Sequence, residues 1–165
     1  MHLALSVACA AASASPAAAA TVTANATITA TIIPVCRLDA PPTLAFGTLA
    51  GGQVLASAKV ATGQIVVTCS SGATYSVSLG DGLSPQSGAG GSRQMQAATS
   101  SSALIPYQLY SNGGHTAVWN SANQVSSTGT GAGQSFTVDG VIAAGTTISA
   151  YPGEYGDTVA VSVVY

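Results

Sequence analysis

Between Thr21 and Ile33 the chain reads TVTANATITATII, and its side chains alternate without a break. Val22, Ala24, Ala26, Ile28, Ala30 and Ile32 fall on one side; Thr21, Thr23, Asn25, Thr27, Thr29 and Thr31 fall on the other. Successive side chains of a β-strand point to opposite faces, so this period makes a ribbon with one apolar face and one hydroxyl face. At ~3.4 Å per residue the stretch would extend about 40 Å, well beyond the usual strand. It holds no charge and no glycine, and Pro34 ends it by removing a backbone donor. A strand of this kind near a terminus needs a sheet to enter, either its own or that of another molecule.

The surface available to such a chain is unusual. Charged residues make up 5% of the sequence, far below the ~25% of an ordinary soluble domain. The charges are Arg37, Lys59, Arg93, Asp39, Asp81, Asp139, Glu154 and Asp157, with a formal net of −2. That excludes a basic stripe for nucleic acid and a polybasic anchor for anionic lipid. Ser, Thr, Gly, Asn and Gln must cover the surface instead, a finish that suits an extracellular wall or fibre component.

Residues 1–20 read as an export signal peptide: an apolar run from Leu3 to about Ala12, then small residues after Pro16 ending in AAAA. Cleavage after Ala18 or Ala20 fits the small-residue rule, although no Lys or Arg precedes the apolar run. That run is too short to span a membrane, which takes ~20 residues. Its removal takes Cys9 with it and leaves Cys36 and Cys69, which in an exported chain read most simply as a disulfide. No metal site is expected from two sulfurs and one remaining histidine.

After Pro34 come short β runs and turn-formers, with no helical stripe. Strands are expected at Thr43–Leu49, Gln64–Ser70, Ala73–Leu79, Gln94–Ala97, Ala103–Tyr110, Ser135–Val138, Val141–Ala144 and Asp157–Tyr165. Residues 63–79 read as a hairpin about Ser71–Gly72, and Asp139–Gly140 as a second hairpin turn. Pro106 argues for an edge or bulge; residues 84–102 and 121–133 read as loose loops. In the last strand Val159, Val161, Val163 and Tyr165 face one way. The whole argues for an all-β sandwich.

Catalytic chemistry finds little support. His115 sits in a Gly-rich turn and reads as a solvated loop residue. Asp81, Asp139, Glu154 and Asp157 stand beside glycine or at a strand start, where turn capping explains them better than paired acid–base work. No phosphate-binding glycine pattern opens a helix. Trp119 and the tyrosines read as core before they read as a sugar-binding surface. No enzyme activity, cofactor or small-molecule substrate is therefore expected.

The order of short motifs does resemble a known family. The alternating strand ending near Cys36 is followed by FGTL (Phe46–Leu49), VTCSSGATYSVSL (Val67–Leu79), SRQM (Ser92–Met95), IPYQLYSN (Ile105–Asn112), AVW (Ala117–Trp119) and YPGEYGDTVAVSVVY (Tyr151–Tyr165). Together they resemble a spore coat protein U domain, a family that includes pilin subunits of archaic chaperone–usher pili. The resemblance implies an immunoglobulin-like β-sandwich lacking its final strand. A periplasmic chaperone lends a strand to the gap, and an outer-membrane usher exchanges it for the N-terminal strand of the next subunit.

Carried onto this chain, residues 21–33 are the donor strand, with Val22, Ala24, Ala26, Ile28, Ala30 and Ile32 as its inserting face. Residues 34–165 are the pilin body, Cys36–Cys69 is the disulfide, and Val159, Val161, Val163 and Tyr165 edge the acceptor groove. The expected function is structural: a homopolymer of related subunits carried through the periplasm to a cell-surface pilus. A tip adhesin and a secreted coat protein are the alternatives. The clean donor strand favours a shaft subunit.

Overall fold

The structure is a computed structural model that describes residues 19–84 and 93–165. The signal-peptide reading and Cys9 fall largely outside these residues, as do residues 85–92 of the loop expected at 84–102; most of the rest of that stretch is strand, Arg93–Ala97 and the start of Ser100–Tyr110. The chain divides into two units, Met1–Ile32 and Ile33–Tyr165. In the first, the described residues carry no strand pairing, and Val22, Ile28 and Ile32 are 93%, 93% and 92% exposed. The alternating face is thus apolar and solvated.

The second unit is all-β, with no helix among its described residues. It is an immunoglobulin-like pair of curled sheets. One sheet orders its strands β1 (Cys36–Leu38), β2 (Lys59–Cys69), β7 (Gly133–Ile142), β5 (Ser100–Tyr110), β4 (Arg93–Ala97) and β8 (Tyr155–Gly156). The other orders β6 (Val125–Thr128), β3 (Thr74–Leu79) and β9 (Val161–Val164). Every pairing is antiparallel. Ile65, Val67 and Cys69 of β2 meet Tyr75, Val77 and Leu79 of β3 in one core, with Trp119, Val138 and Ile142. The Tyr75 ring stands edge-on to Phe136, centroids 6.1 Å apart, and its hydroxyl donates to Gln134 at 3.0 Å, both residues on β7. Trp119 is a core residue, and its Nε1 donates to the Val77 carbonyl at 2.9 Å.

Several sequence expectations are corrected. Residues 63–79 do not form a hairpin: β2 pairs with β1 and β7, and β3 pairs with β6 and β9. The Ser71–Gly72 turn carries the chain from one sheet to the other. Alternation puts the same residues inward in either arrangement, so the pattern alone does not separate a hairpin from a crossing. Asp139–Gly140 is no turn either; it lies within the continuous β7, paired to Ala61 and Thr62. The loose loop expected at 121–133 contains β6. Thr43–Leu49 is not a strand by hydrogen bonding. Pro106 sits in the middle of the sheet order, but β5 meets β7 only at Gln108–Tyr110, so at Pro106 it has β4 as its one neighbour. The local requirement for an edge is met inside an internal strand.

Cys36 and Cys69 are disulfide-bonded and directly paired in the β1–β2 ladder. The three-residue ladder is extended by bonds from Asp39 N to Val66 O and from Ser70 N to Val35 O, each 3.0 Å, and the disulfide adds a covalent link to them. Closing that loop stabilises the fold by about 3–4 kcal/mol in the chain-entropy model.

Candidate functional site

Pro42, Leu44 and Phe46 are half-buried and alternate with exposed Pro41, Thr43 and Ala45. This is strand geometry without a ladder: no residue from 40 to 51 makes a hydrogen bond to another described residue. The segment lies against the inner side of the larger sheet at Gly63 of β2 and Gly140 of β7. A Cβ on Gly63 would stand 2.8 Å from Cγ of Pro42, and one on Gly140 would stand 3.0 Å from Cζ of Phe46. Those two glycines make the trough in which the segment rests.

Opposite this segment runs Gly156–Val161, leading into β9. β9 is the last strand of its sheet, and among the described residues its outer edge has no neighbour. Between the two walls lies an open cleft of about 510 Å³, floored by Ile65, Leu79, Leu109 and Val138. A second hollow of about 940 Å³ continues it between residues 44–51 and 148–155, floored by Ile105 and Ile148. Leu44, Phe46, Met95 and Tyr155 line both. The result is a long groove with an apolar floor and a more polar far end, and among the described residues the backbone on each side is unpaired, a shape that takes up an extended chain.

One polar cluster stands at the groove. Asp157 accepts hydrogen bonds from Tyr107 Oη at 2.6 Å, Leu83 N at 2.7 Å and its neighbour Thr158 N at 2.8 Å. Burial, then the bond to Asp157, pushes the Tyr107 hydroxyl well above the usual tyrosine range. Behind it Arg93 is fully buried, donating to Gly80 O at 2.8 Å, Gln108 Oε1 at 2.7 Å and Trp119 O at 2.9 Å. Desolvation lowers its pKa, and the nearby Tyr107, Asp81 and Asp157 oppose that shift. Tyr107 thus ties Asp157, at the entrance of the last strand, to β5, and Arg93 joins β4 to β5 through Gln108.

Val159 and Val161 line the cleft. Val163 packs half-buried against the core, whereas Tyr165 is 57% exposed and lies with Val164 beside a separate shallow hollow over β3 and β6. Asp139, read as a turn cap, is a buried strand residue that accepts from Thr62 Oγ1 at 2.7 Å. His115 is not simply a solvated loop residue: its Nε2 lies 3.8 Å from Oδ2 of Asp139 and its ring 5.5 Å from that of Tyr110. Among the described residues no three His, Cys, Asp or Glu side chains gather as a metal site. Sequence reasoning missed the Arg93 cluster and the glycine trough, because neither leaves a periodic signal.

The family model of the Spore Coat Protein U domain matches residues 20–162. The chain belongs to the Spore Coat Protein U domain family. No curated protein sequence gives a match to it. Among solved structures, it is similar to a chain in the crystal structure of the CsuC–CsuE chaperone–tip adhesion subunit pre-assembly complex from archaic chaperone–usher Csu pili of Acinetobacter baumannii. The two share 27% identity with a TM-score of 0.58, over 82% of this chain and 40% of that one. This Spore Coat Protein U domain thus spans less than half the length of the chain it resembles.

Proposed function

We propose that this chain is a structural subunit of an extracellular pilus, joined to its neighbours by strand exchange and without enzymatic activity. Residues 21–33 of one copy enter the groove of the next. They pair with the free edge of β9 on one side and with residues 41–49 on the other. Before assembly, a periplasmic chaperone covers the groove, and an outer-membrane usher then directs the exchange. The observation that carries this reading is the groove itself: two unpaired backbones flank an apolar floor, in a chain whose alternating segment has its own apolar face in water.

The energetics favour a durable joint. Burying a large aliphatic side chain is worth ~1.5–3 kcal/mol, so Val22, Ile28 and Ile32 together with the new ladder bonds hold strongly. The small Ala24 and Ala26 add less. A shaft role is favoured over a tip role, because a tip subunit has no need to donate a strand.

Ile28→Asp tests the reading. A carboxylate there would be forced into the neighbour's core, where desolvation is costly and the groove lining offers no cation. The expected result is a normally folded, chaperone-bound subunit with no surface fibre. Failure to recover folded subunit would show instead that residues 21–33 belong to their own domain.

A further inference from the structure

Between β8 and β9 the chain crosses from the larger sheet to the smaller one, and residues 157–160 of that crossing form no strand. This crossing is one wall of the groove. Gly80 N donates to Ala160 O at 2.8 Å, and the Asp157 carboxylate supplies a second hold. Its Oδ1 accepts from Leu83 N at 2.7 Å, on the chain leaving β3 of the smaller sheet. Its Oδ2 accepts from Tyr107 Oη at 2.6 Å, on β5 of the larger sheet. The fit is close: a Cβ on Gly82, which has a φ of 84°, would stand 2.8 Å from Asp157 Cγ. Tyr107 then continues across the groove. Its ring meets that of Phe46, on the facing wall, at an interplanar angle of 62° with centroids 6.1 Å apart. Tyr107 therefore touches both walls, by a hydrogen bond on one side and an aromatic edge on the other, while lining the 510 Å³ cleft between them.

We propose that Tyr107 is a positioning residue for strand capture: it is the strut that holds the two walls at the separation an incoming strand requires. The inference rests on the strand-exchange reading above. Residues 41–46 rest in their glycine trough without a ladder, and residues 157–160 hang between two sheets. A wall free to drift must be ordered when a strand arrives, and that cost is subtracted from the affinity. A wall already spaced avoids it. A hydrogen bond to a carboxylate is shorter and stronger than one between neutral groups, which suits it to this task. The hydroxyl is the part of Tyr107 that reaches the Asp157 wall, whereas the ring faces Phe46 and fills the core. The two parts can therefore be separated by substitution.

The test binds a fluorescein-labelled peptide of residues 21–33 to the disulfide-intact chain, refolded without chaperone and diluted to nanomolar concentration. Fluorescence anisotropy gives the affinity, and a urea midpoint gives the stability of the peptide-free chain. Tyr107→Phe removes the hydroxyl and keeps the ring; it is expected to weaken peptide binding about five- to tenfold. Tyr75→Phe is the matched control, since it removes a tyrosine hydroxyl bond of 3.0 Å, to Gln134, away from the groove. It is expected to lower the urea midpoint comparably and to leave peptide affinity within about twofold. Asp157→Ala should weaken the peptide more than Asp157→Asn, whose side chain can still accept from Leu83 N and donate to the Tyr107 oxygen. Spin labels at Ala45→Cys and Thr158→Cys, exposed sites on the two walls, read the spacing itself. Tyr107→Phe is expected to broaden that distance distribution. Equal loss of peptide affinity in Tyr107→Phe and Tyr75→Phe, or an unaltered distribution, would overturn the strut. No binding by the unmodified chain would overturn the strand-exchange reading instead, and the spin-label distances would still judge the strut.

Discussion

Arg93 shows how one side chain can organise a region with few charges. It is completely buried, yet its donors reach the carbonyls of Gly80 and Trp119 and the amide of Gln108. Removing it strands those acceptors without water, at ~1–3 kcal/mol for each group left unsatisfied. Arg93→Ala is therefore expected to lower unfolding free energy by about 3 kcal/mol or more. Arg93→Lys should recover only part of this, because a single ammonium cannot span the same fork. Urea midpoints of the disulfide-intact subunit check both. Tyr107 makes a separate prediction. Its hydroxyl is held above the ordinary value, so the neutral form is the one the fold favours. That stabilisation is complete below the unfolded-state value near pH 10 and is lost as pH rises beyond it. Tyr107→Phe should flatten the loss of stability above about pH 10 by up to ~1.4 kcal/mol per pH unit, the slope of one proton.

At the scale of elements, the wall formed by residues 41–46 is the least conventional part of the fold. It keeps the alternation of a strand, and packing against a glycine trough holds it in place of a ladder. Gly63→Ala would drive a methyl into Pro42, whose nearest atoms lie at 2.8 and 2.9 Å. The expected cost is about 1–3 kcal/mol, with much of it relieved by pairing the change with Pro42→Ala. A double-mutant cycle on thermal unfolding reads that coupling, and strict additivity would argue against the contact. The disulfide belongs to the same scale, since it secures the short β1 beside β2. Cys36→Ser with Cys69→Ser should lose about 3–4 kcal/mol, measured as a shift in the denaturant midpoint of unfolding.

For the whole molecule, the balance of charge and apolar edge decides behaviour in solution. A chain with 5% charged residues has little self-repulsion to keep copies apart. Among the described residues the β9 edge and the groove also have no partner. On the proposed assembly, residues 21–165 made alone are expected to self-associate or precipitate, as followed by size-exclusion chromatography. Chaperone co-expression should convert them to a discrete complex. A chaperone-free monomer that unfolds and refolds reversibly would mean that the sandwich is closed on its own.

The β character of the chain was legible from residues alone, because a period of two and the turn-formers between runs are local properties. Gln94–Ala97 and Ala103–Tyr110 were placed as strands close to where they lie, and Cys36 and Cys69 were paired from their export context. What a local pattern cannot carry is which strand meets which. The inward faces of β2 and β3 read the same whether the two pair in one sheet or face each other across the core, and only packing against β7 and β9 decides between them. Asp139 looked like a turn because Asp-Gly so often is one; the ladder to β2 overrode that preference by burying it in mid-strand. The groove has the same origin. Gly63 and Gly140 are 77 positions apart from the viewpoint of local pattern and become one trough when β2 and β7 pair in register. Periodicity therefore determined the elements of this protein, and non-local pairing alone decided the cleft that those elements enclose.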